Sequence, residues 1–175
     1  VVFSRKPSTD QRYQLTANLF GQDGKLLPKD TRSSDGGQVN LALGMPAAQS
    51  STYAGTGVDQ GAHHAVDGKT RGRDPHDLIH TNYEKNPWWR VDLGKSRSIE
   101  RIKIFNRTNP GVQSNLDLEL LVSKDGQSWN SVYTHNRTIF EVLDVSVGGS
   151  GRYVMVRLNS ERDALQLYEI EVWGR

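Results

Sequence analysis

Any chemistry in this chain must come from histidine, carboxylate and guanidinium groups, because its 175 residues include no cysteine. Disulfides, thiolate zinc sites, iron–sulfur clusters and cysteine nucleophiles are therefore excluded. Five His, 13 Asp and 7 Glu are available. No nucleophile elbow, P-loop, His-Glu-x-x-His or dinucleotide fingerprint organises them, so the chain reads as a non-enzyme. His76 and His80 stand at i, i+4, a spacing that holds zinc on a helix. Pro75 and the Asp and Gly around it oppose a helix, and the pair reads as loop histidines. The run Ala65-Val-Asp67-Gly68-Lys-Thr ends in a tight turn with a carboxylate ahead of a glycine. Such a turn offers carbonyls and a carboxylate together, which suits Ca²⁺, but it equally fits an Asp that only caps the turn. Glu169 is a third candidate. It lies on the strand face opposite Tyr168, Ile170 and Val172, where a Glu is ordinarily solvated.

The elements that must position these groups are strands. Short alternating runs recur, separated by Gly, Asn, Asp and Ser. Residues 88–93 and 98–105 read as two strands, with Ile102 and Ile104 on one face. Further strands are expected at 118–123, 131–134, 139–147, 152–158 and 165–173. Lys124-Asp-Gly-Gln127 is a hairpin turn, since Gly accepts a positive φ. Strands at roughly 8–12-residue spacing with turn signals between them indicate an all-β sandwich or barrel. Residues 1–38 differ: alternation at Tyr13, Leu15, Ala17 and Leu19, a turn at Gly21-Gln-Asp-Gly24, then a Gly-rich polar stretch. They are expected to form an extension, as a hairpin and linker, ahead of a β-domain over 39–175.

Composition narrows the partners. Lys and Arg number 22 against 20 Asp and Glu, and the basic cluster Lys69-Thr-Arg-Gly-Arg73 has no interleaved aromatics, so nucleic acid is disfavoured. No apolar run approaches the 18 or more residues of a membrane span, and the loop 50–58 offers only Tyr53 and Val58 as apolar tips, so membrane insertion by this chain is not expected. A chain that opens on Val-Val is expected to be part of a larger multidomain protein. Absence of cysteine leans toward a bacterial source for a secreted or cell-surface domain. The sequons at Asn106 and Asn136 are common by chance and are given no role.

Several strings occur in a telling order: Asn40-Leu-Ala-Leu-Gly-Met-Pro, Ala65-Val-Asp-Gly68, Asn86-Pro-Trp-Trp-Arg-Val-Asp-Leu93, Ile102-Lys-Ile-Phe-Asn-Arg107, Gly151-Arg-Tyr-Val154 and Leu167-Tyr-Glu-Ile-Glu-Val-Trp-Gly174. Over 39–175 the chain resembles the discoidin / coagulation factor type C superfamily, and within it the F-type, fucose-binding lectins of eel-agglutinin type. The resemblance implies an eight-stranded jelly-roll β-sandwich, galactose-binding-like, with a sugar site in the loops at one end. The family's motif is a His, 26 residues, Arg-x-Asp, four residues, then Arg or Lys. His80 and Arg107 match it, with Arg107 following Asn106. Asn109 stands in place of the Asp and Ser114 in place of the second cation. Pro110-Gly111 replaces the family's adjacent cysteine pair.

A neutral His nitrogen and an Arg fork grip sugar hydroxyls with fixed geometry. Tyr53, in the loop 50–60, and Tyr83 are the candidate apolar wall for the C6 methyl of a deoxy sugar. His80 is expected in a loop and Arg107 at a strand end. The resemblance also implies a structural Ca²⁺ held by the carbonyls of His64, Lys69 and Tyr168 and the carboxylates of Asp67, Asp77 and Glu169. The expected partners are fucosylated glycans of cell-surface glycoconjugates. The alternative is a discoidin-like interaction module that has lost the fucose site and binds another glycan or a protein.

Overall fold

The computed structural model describes residues 37–72, 74–108 and 115–175. The expected N-terminal hairpin and linker fall outside these, apart from Gly37 and Gln38. Eight strands follow in order: β1 Val39–Asn40, β2 Ala47–Gln49, β3 Ile79–His80, β4 Trp88–Asn106, β5 Leu118–Ser123, β6 Asn130–Thr134, β7 Val142–Leu158 and β8 Gln166–Gly174. All pair antiparallel. Among the described residues the only helical element is a 3₁₀ turn, Ala62–Val66.

The two strands expected at 88–93 and 98–105 are one strand, β4, and those expected at 139–147 and 152–158 are one strand, β7. Gly94 and Gly148 directly follow the expected strand ends at 93 and 147, and both have positive φ, 79° and 59°. The ladder, however, skips register between Asp92 and Arg97 and resumes. Such an irregularity bends a strand without ending it. Beside the bend Arg152 donates two 2.7 Å hydrogen bonds to Asp92. The bend turns one hydrogen-bonded sheet into two layers. The first half of β4 pairs with β2 and the second half of β7, which carries β5 and β6. The second half of β4 pairs with the first half of β7 and with β8, which carries β1 and β3.

Alternation decides what lies between the layers. Trp89, Val91, Ile102 and Ile104 of β4, Val154 and Val156 of β7, and Ile170 and Val172 of β8 all join one buried cluster. Each fully buried Val, Leu or Ile contributes roughly 1.5–3 kcal/mol of hydrophobic free energy. Trp89 satisfies its buried indole N–H on the Ala62 carbonyl at 2.9 Å, tying β4 to the 3₁₀ turn. The β5–β6 hairpin turns where expected, with Gly126 at φ 76°.

Candidate functional site

His80, Gln166 and Arg107 are brought together by strand register. His80 of β3 is the partner of Gln166 on β8. On the other side of β8, Asn106 of β4 is the partner of Leu167, so Arg107 emerges beside Gln166. Adjacent strands lie about 4.7–4.9 Å apart. A spacing of 26 residues in the chain thus becomes two strand widths in space. His80 is not in a loop as expected. It sits in the two-residue strand β3 and is only 6% exposed.

The His80 imidazole is held at Nδ1 and by two aromatic rings. Its Nδ1 lies 2.6 Å from the Thr81 carbonyl. A carbonyl only accepts, so Nδ1 carries the proton and Nε2 offers its lone pair. Burial, and secondarily the Arg107 charge, hold the ring below the ordinary histidine range, against the Thr81 contact and the Asp74 charge. The neutral form therefore prevails at neutral pH. Tyr53 stacks on the ring at 4.6 Å between centroids, and Tyr83 meets it edge-on at 6.2 Å. The Tyr53 amide donates to the His80 carbonyl at 2.9 Å. Gln49 Nε2 reaches the carbonyls of Ser51, Gln60 and His80 at 2.7, 3.1 and 3.4 Å, pinning the loop 50–60 against β3. Tyr53 is packed between His80 and Gly55, where an added Cβ would meet the Tyr53 hydroxyl at 2.3 Å. Tyr83 is 56% exposed and is the more accessible apolar surface.

Arg107 stands at the strand end, as expected. Its Nε donates to Asp74 Oδ2 at 2.8 Å, a second guanidinium nitrogen donates to the same oxygen, and Nη1 donates to Gln166 Oε1. Three of the five N–H groups are so placed, and among the described residues two remain for a ligand. Beneath lies a buried polar pedestal. Asn115, at φ 62° and fully buried, donates to Asn106 Oδ1 and to the Gln166 carbonyl at 2.6 Å each, and accepts from the Gln166 amide at 3.2 Å. Asn106 also donates to the Phe140 carbonyl at 3.0 Å, so this sequon is structural. Asp74, Asn115 and Gln166 were not among the residues expected from sequence. Gln166 leaves one signal, a polar residue inside the apolar run Leu165-Gln-Leu167, whereas Asp74 stands in a polar stretch that carries none. Asn109 and Ser114, the expected positions of the altered motif, lie outside the described residues.

Of the carboxylates expected to hold a cation, Asp67 and Asp77 meet across the Lys69 ammonium, and Glu169 lies near Asp67. Glu169 is not solvated: it is 0% exposed, because the turn after the 3₁₀ element covers that face of β8. Its Oε1 accepts from the Gly68 amide at 3.1 Å, while Oε2 is buried without a partner. Burial, with the nearby Asp67 charge, pushes this carboxyl up to about 8. Asp67 Oδ1 accepts from the Lys69 amide at 2.9 Å. The Lys69 ammonium, and not only its expected carbonyl, faces these carboxylates: it lies 2.9 Å from Asp77 Oδ1 and 3.4 Å from Asp67 Oδ2. His64 belongs to the 3₁₀ turn and Tyr168 precedes Glu169 on β8. The orphaned, buried Glu169 oxygen, close to the Asp67 charge, is the kind of donor that a hard, oxygen-preferring ion such as Ca²⁺ takes.

Residues 64–156 match the family described as NedA-like, galactose-binding domain. The chain is 31% identical over 147 residues to Fucolectin-5 of Anguilla japonica, covering 77% of this chain and 76% of that one. It is similar in structure to a Streptococcus pneumoniae fucose binding module, with TM-score 0.72 and 26% identity over 82% of this chain and 100% of that one. The lectin domain of Lectinolysin complexed with Lewis B antigen matches at TM-score 0.67 and 30% identity, covering 78% of this chain and 96% of that one.

Proposed function

Because the chain belongs to the NedA-like, galactose-binding domain family and, within it, to the F-type lectins, we propose that it is a non-catalytic carbohydrate-binding module for fucosylated glycans. The observation that carries this reading is the pairing of His80 and Arg107 on either side of Gln166, with Tyr53 and Tyr83 against the imidazole. The neutral His80 Nε2 accepts a hydrogen bond from a sugar hydroxyl, and the remaining Arg107 N–H groups donate to sugar oxygens. Tyr83 meets the apolar face of the ring. A site this small binds one sugar at roughly millimolar strength, about −4 kcal/mol, and gains avidity by repetition on a larger secreted or cell-surface protein, of bacterial origin in our reading.

A structural Ca²⁺ accompanies this reading. Asp67, Asp77, Glu169 and the carbonyls of His64, Lys69 and Tyr168 would hold it, and it would supply the positive charge that the buried Glu169 lacks. Its role is to fix the turn that precedes β3. Two observations favour a second reading, a module for another glycan or a protein: Asp74 already meets the Arg107 charge, and Ser114 stands where the family's second cation would be.

A glycan array of the parent chain and of His80→Ala, each with and without EDTA, tests the proposal. The expected result is binding confined to fucosylated glycans, lost in His80→Ala and weakened by EDTA. Binding to a different glycan class, retained in His80→Ala, would replace this reading with the second.

A further inference from the structure

At the 3₁₀ turn lies a second cluster of ligating groups, of different chemistry. Asp59, His63 and His64 place one ligand atom each within 4.8 Å of one another, and they are the one such group of three among the described residues. The Asp59 carboxylate is aimed by its own loop. Oδ1 accepts from the Gly61 amide at 2.9 Å, which leaves Oδ2 to face His63 Nε2 at 3.4 Å and His64 Nε2 at 4.0 Å. A tetrahedral zinc ion with bonds of about 2.0–2.2 Å separates its ligand atoms by about 3.3–3.6 Å. Asp59 Oδ2 already stands at about that separation from His63 Nε2 and within about 0.7 Å of it from His64 Nε2.

An independent observation concerns His64. Both of its ring nitrogens are buried and neither has a hydrogen-bond partner. Buried polar atoms are ordinarily satisfied, and those left without a partner call for an explanation. Nε2 points to Asp59 and His63, while Nδ1 faces Asp67 Oδ2 at 3.8 Å. A ligating His characteristically turns its second nitrogen to a carboxylate, which fixes its tautomer and strengthens its lone pair. Asp67 stands where such a carboxylate belongs. The donor set of two imidazoles and one carboxylate suits Zn²⁺, Ni²⁺ or Cu²⁺ rather than Ca²⁺.

We infer that Asp59, His63 and His64 form a borderline transition-metal site, whose ligand atoms differ from those of the oxygen-lined calcium set although Asp67 stands beside both, with one coordination position open to water or an incoming ligand. The ion bridges the end of the loop 50–60, which carries Tyr53, to the 3₁₀ turn. It clips in place the loop that backs the His80 ring. The site does not depend on the identity of the sugar.

The test is titration of the full chain with ZnCl₂ in excess Ca²⁺, followed by calorimetry and melting temperature, with Cu²⁺ electron paramagnetic resonance as the spectroscopic readout. The variants are His63→Ala and Asp59→Asn, whose side chains are 63% and 67% exposed and so leave the core untouched. The expected result is one Zn²⁺ per chain with a raised melting temperature. Cu²⁺ should show coupling to two nitrogens, reduced to one in His63→Ala, and Zn²⁺ affinity should fall at least tenfold in either variant. No saturable binding, or binding unchanged in both variants, would overturn the site. Zn²⁺ that binds only when Ca²⁺ is withheld would assign it to the calcium set and would overturn the proposal equally.

Discussion

Arg107 is held before any ligand arrives, by Asp74 on one side and Gln166 on the other. Charge-assisted hydrogen bonds are roughly twice as strong as neutral ones. A lysine keeps the charge but loses the planar fork that reaches both partners. Arg107→Lys should therefore weaken binding of a fucosylated oligosaccharide by about tenfold or more, since a hydrogen bond to a charged group is worth about 1.5–3 kcal/mol. Asp74→Asn keeps the shape but removes the countercharge. It should weaken binding by less, through loss of orientation. Titration calorimetry on the two variants separates these effects, and near-parental affinity in Arg107→Lys would mean that the sugar is gripped elsewhere. The histidine adds a sign. Its folded value lies below the ordinary range because of burial, so both stability and binding hold at neutral pH and are lost as pH falls through that depressed value.

At the scale of elements, the β5–β6 hairpin shows how much of an edge rests on one turn. Asp125 Oδ1 accepts from the amides of Gln127 and Ser128 at 2.8 Å each and lies 3.0 Å from the Ser123 hydroxyl. These bonds favour the charged form and hold its carboxyl down to about 2, against an ordinary 3.8. The stabilisation is full above the unfolded value and disappears as pH falls through about 2. Asp125→Ala should lower the melting temperature by a few degrees at pH 7, and the gap should close as pH approaches 2. A constant gap across that range would mean the loss is one of backbone preference, not of the carboxylate. The long strands carry the opposite lesson. Gly94 and Gly148 look like ends, but β4 and β7 pass through both layers, because a bulged ladder can bend and resume.

For the whole molecule, the buried Glu169 should couple stability to a cation if the proposed Ca²⁺ binds. Without one, its carboxyl sits at about 8, well above the ordinary 4.5. The folded state then holds a proton that the unfolded chain has released, and stability falls as pH rises from about 4.5 through about 8. A bound divalent ion removes that loss. Melting temperature in EDTA should drop between pH 5.5 and 8.5, whereas in millimolar Ca²⁺ it should change little. At a ligand concentration of 100 times Kd the ion adds about 2.7 kcal/mol. A melting temperature indifferent to chelation at pH 8.5, with no metal found by elemental analysis, would remove the calcium set.

What the sequence determined by itself was local. Alternation over two residues marked the strands, Lys124-Asp-Gly-Gln127 marked a turn, and His80 and Arg107 stood at a spacing whose meaning came with the resemblance. Such signals repeat or complete themselves within a few residues. Partnerships across the chain were decided only by tertiary structure. Arg107 meets Asp74 across 33 residues and Gln166 across 59, and Gly68 meets Glu169 across 101. Each depends on which strand lies beside which, and in what register. The same holds for burial. Glu169 occupies the face of β8 that alternation assigns to solvent, and it is buried because a turn from a hundred residues earlier packs over it. A pattern of period two states which face a side chain takes, and the arrangement of layers and loops decides what that face meets.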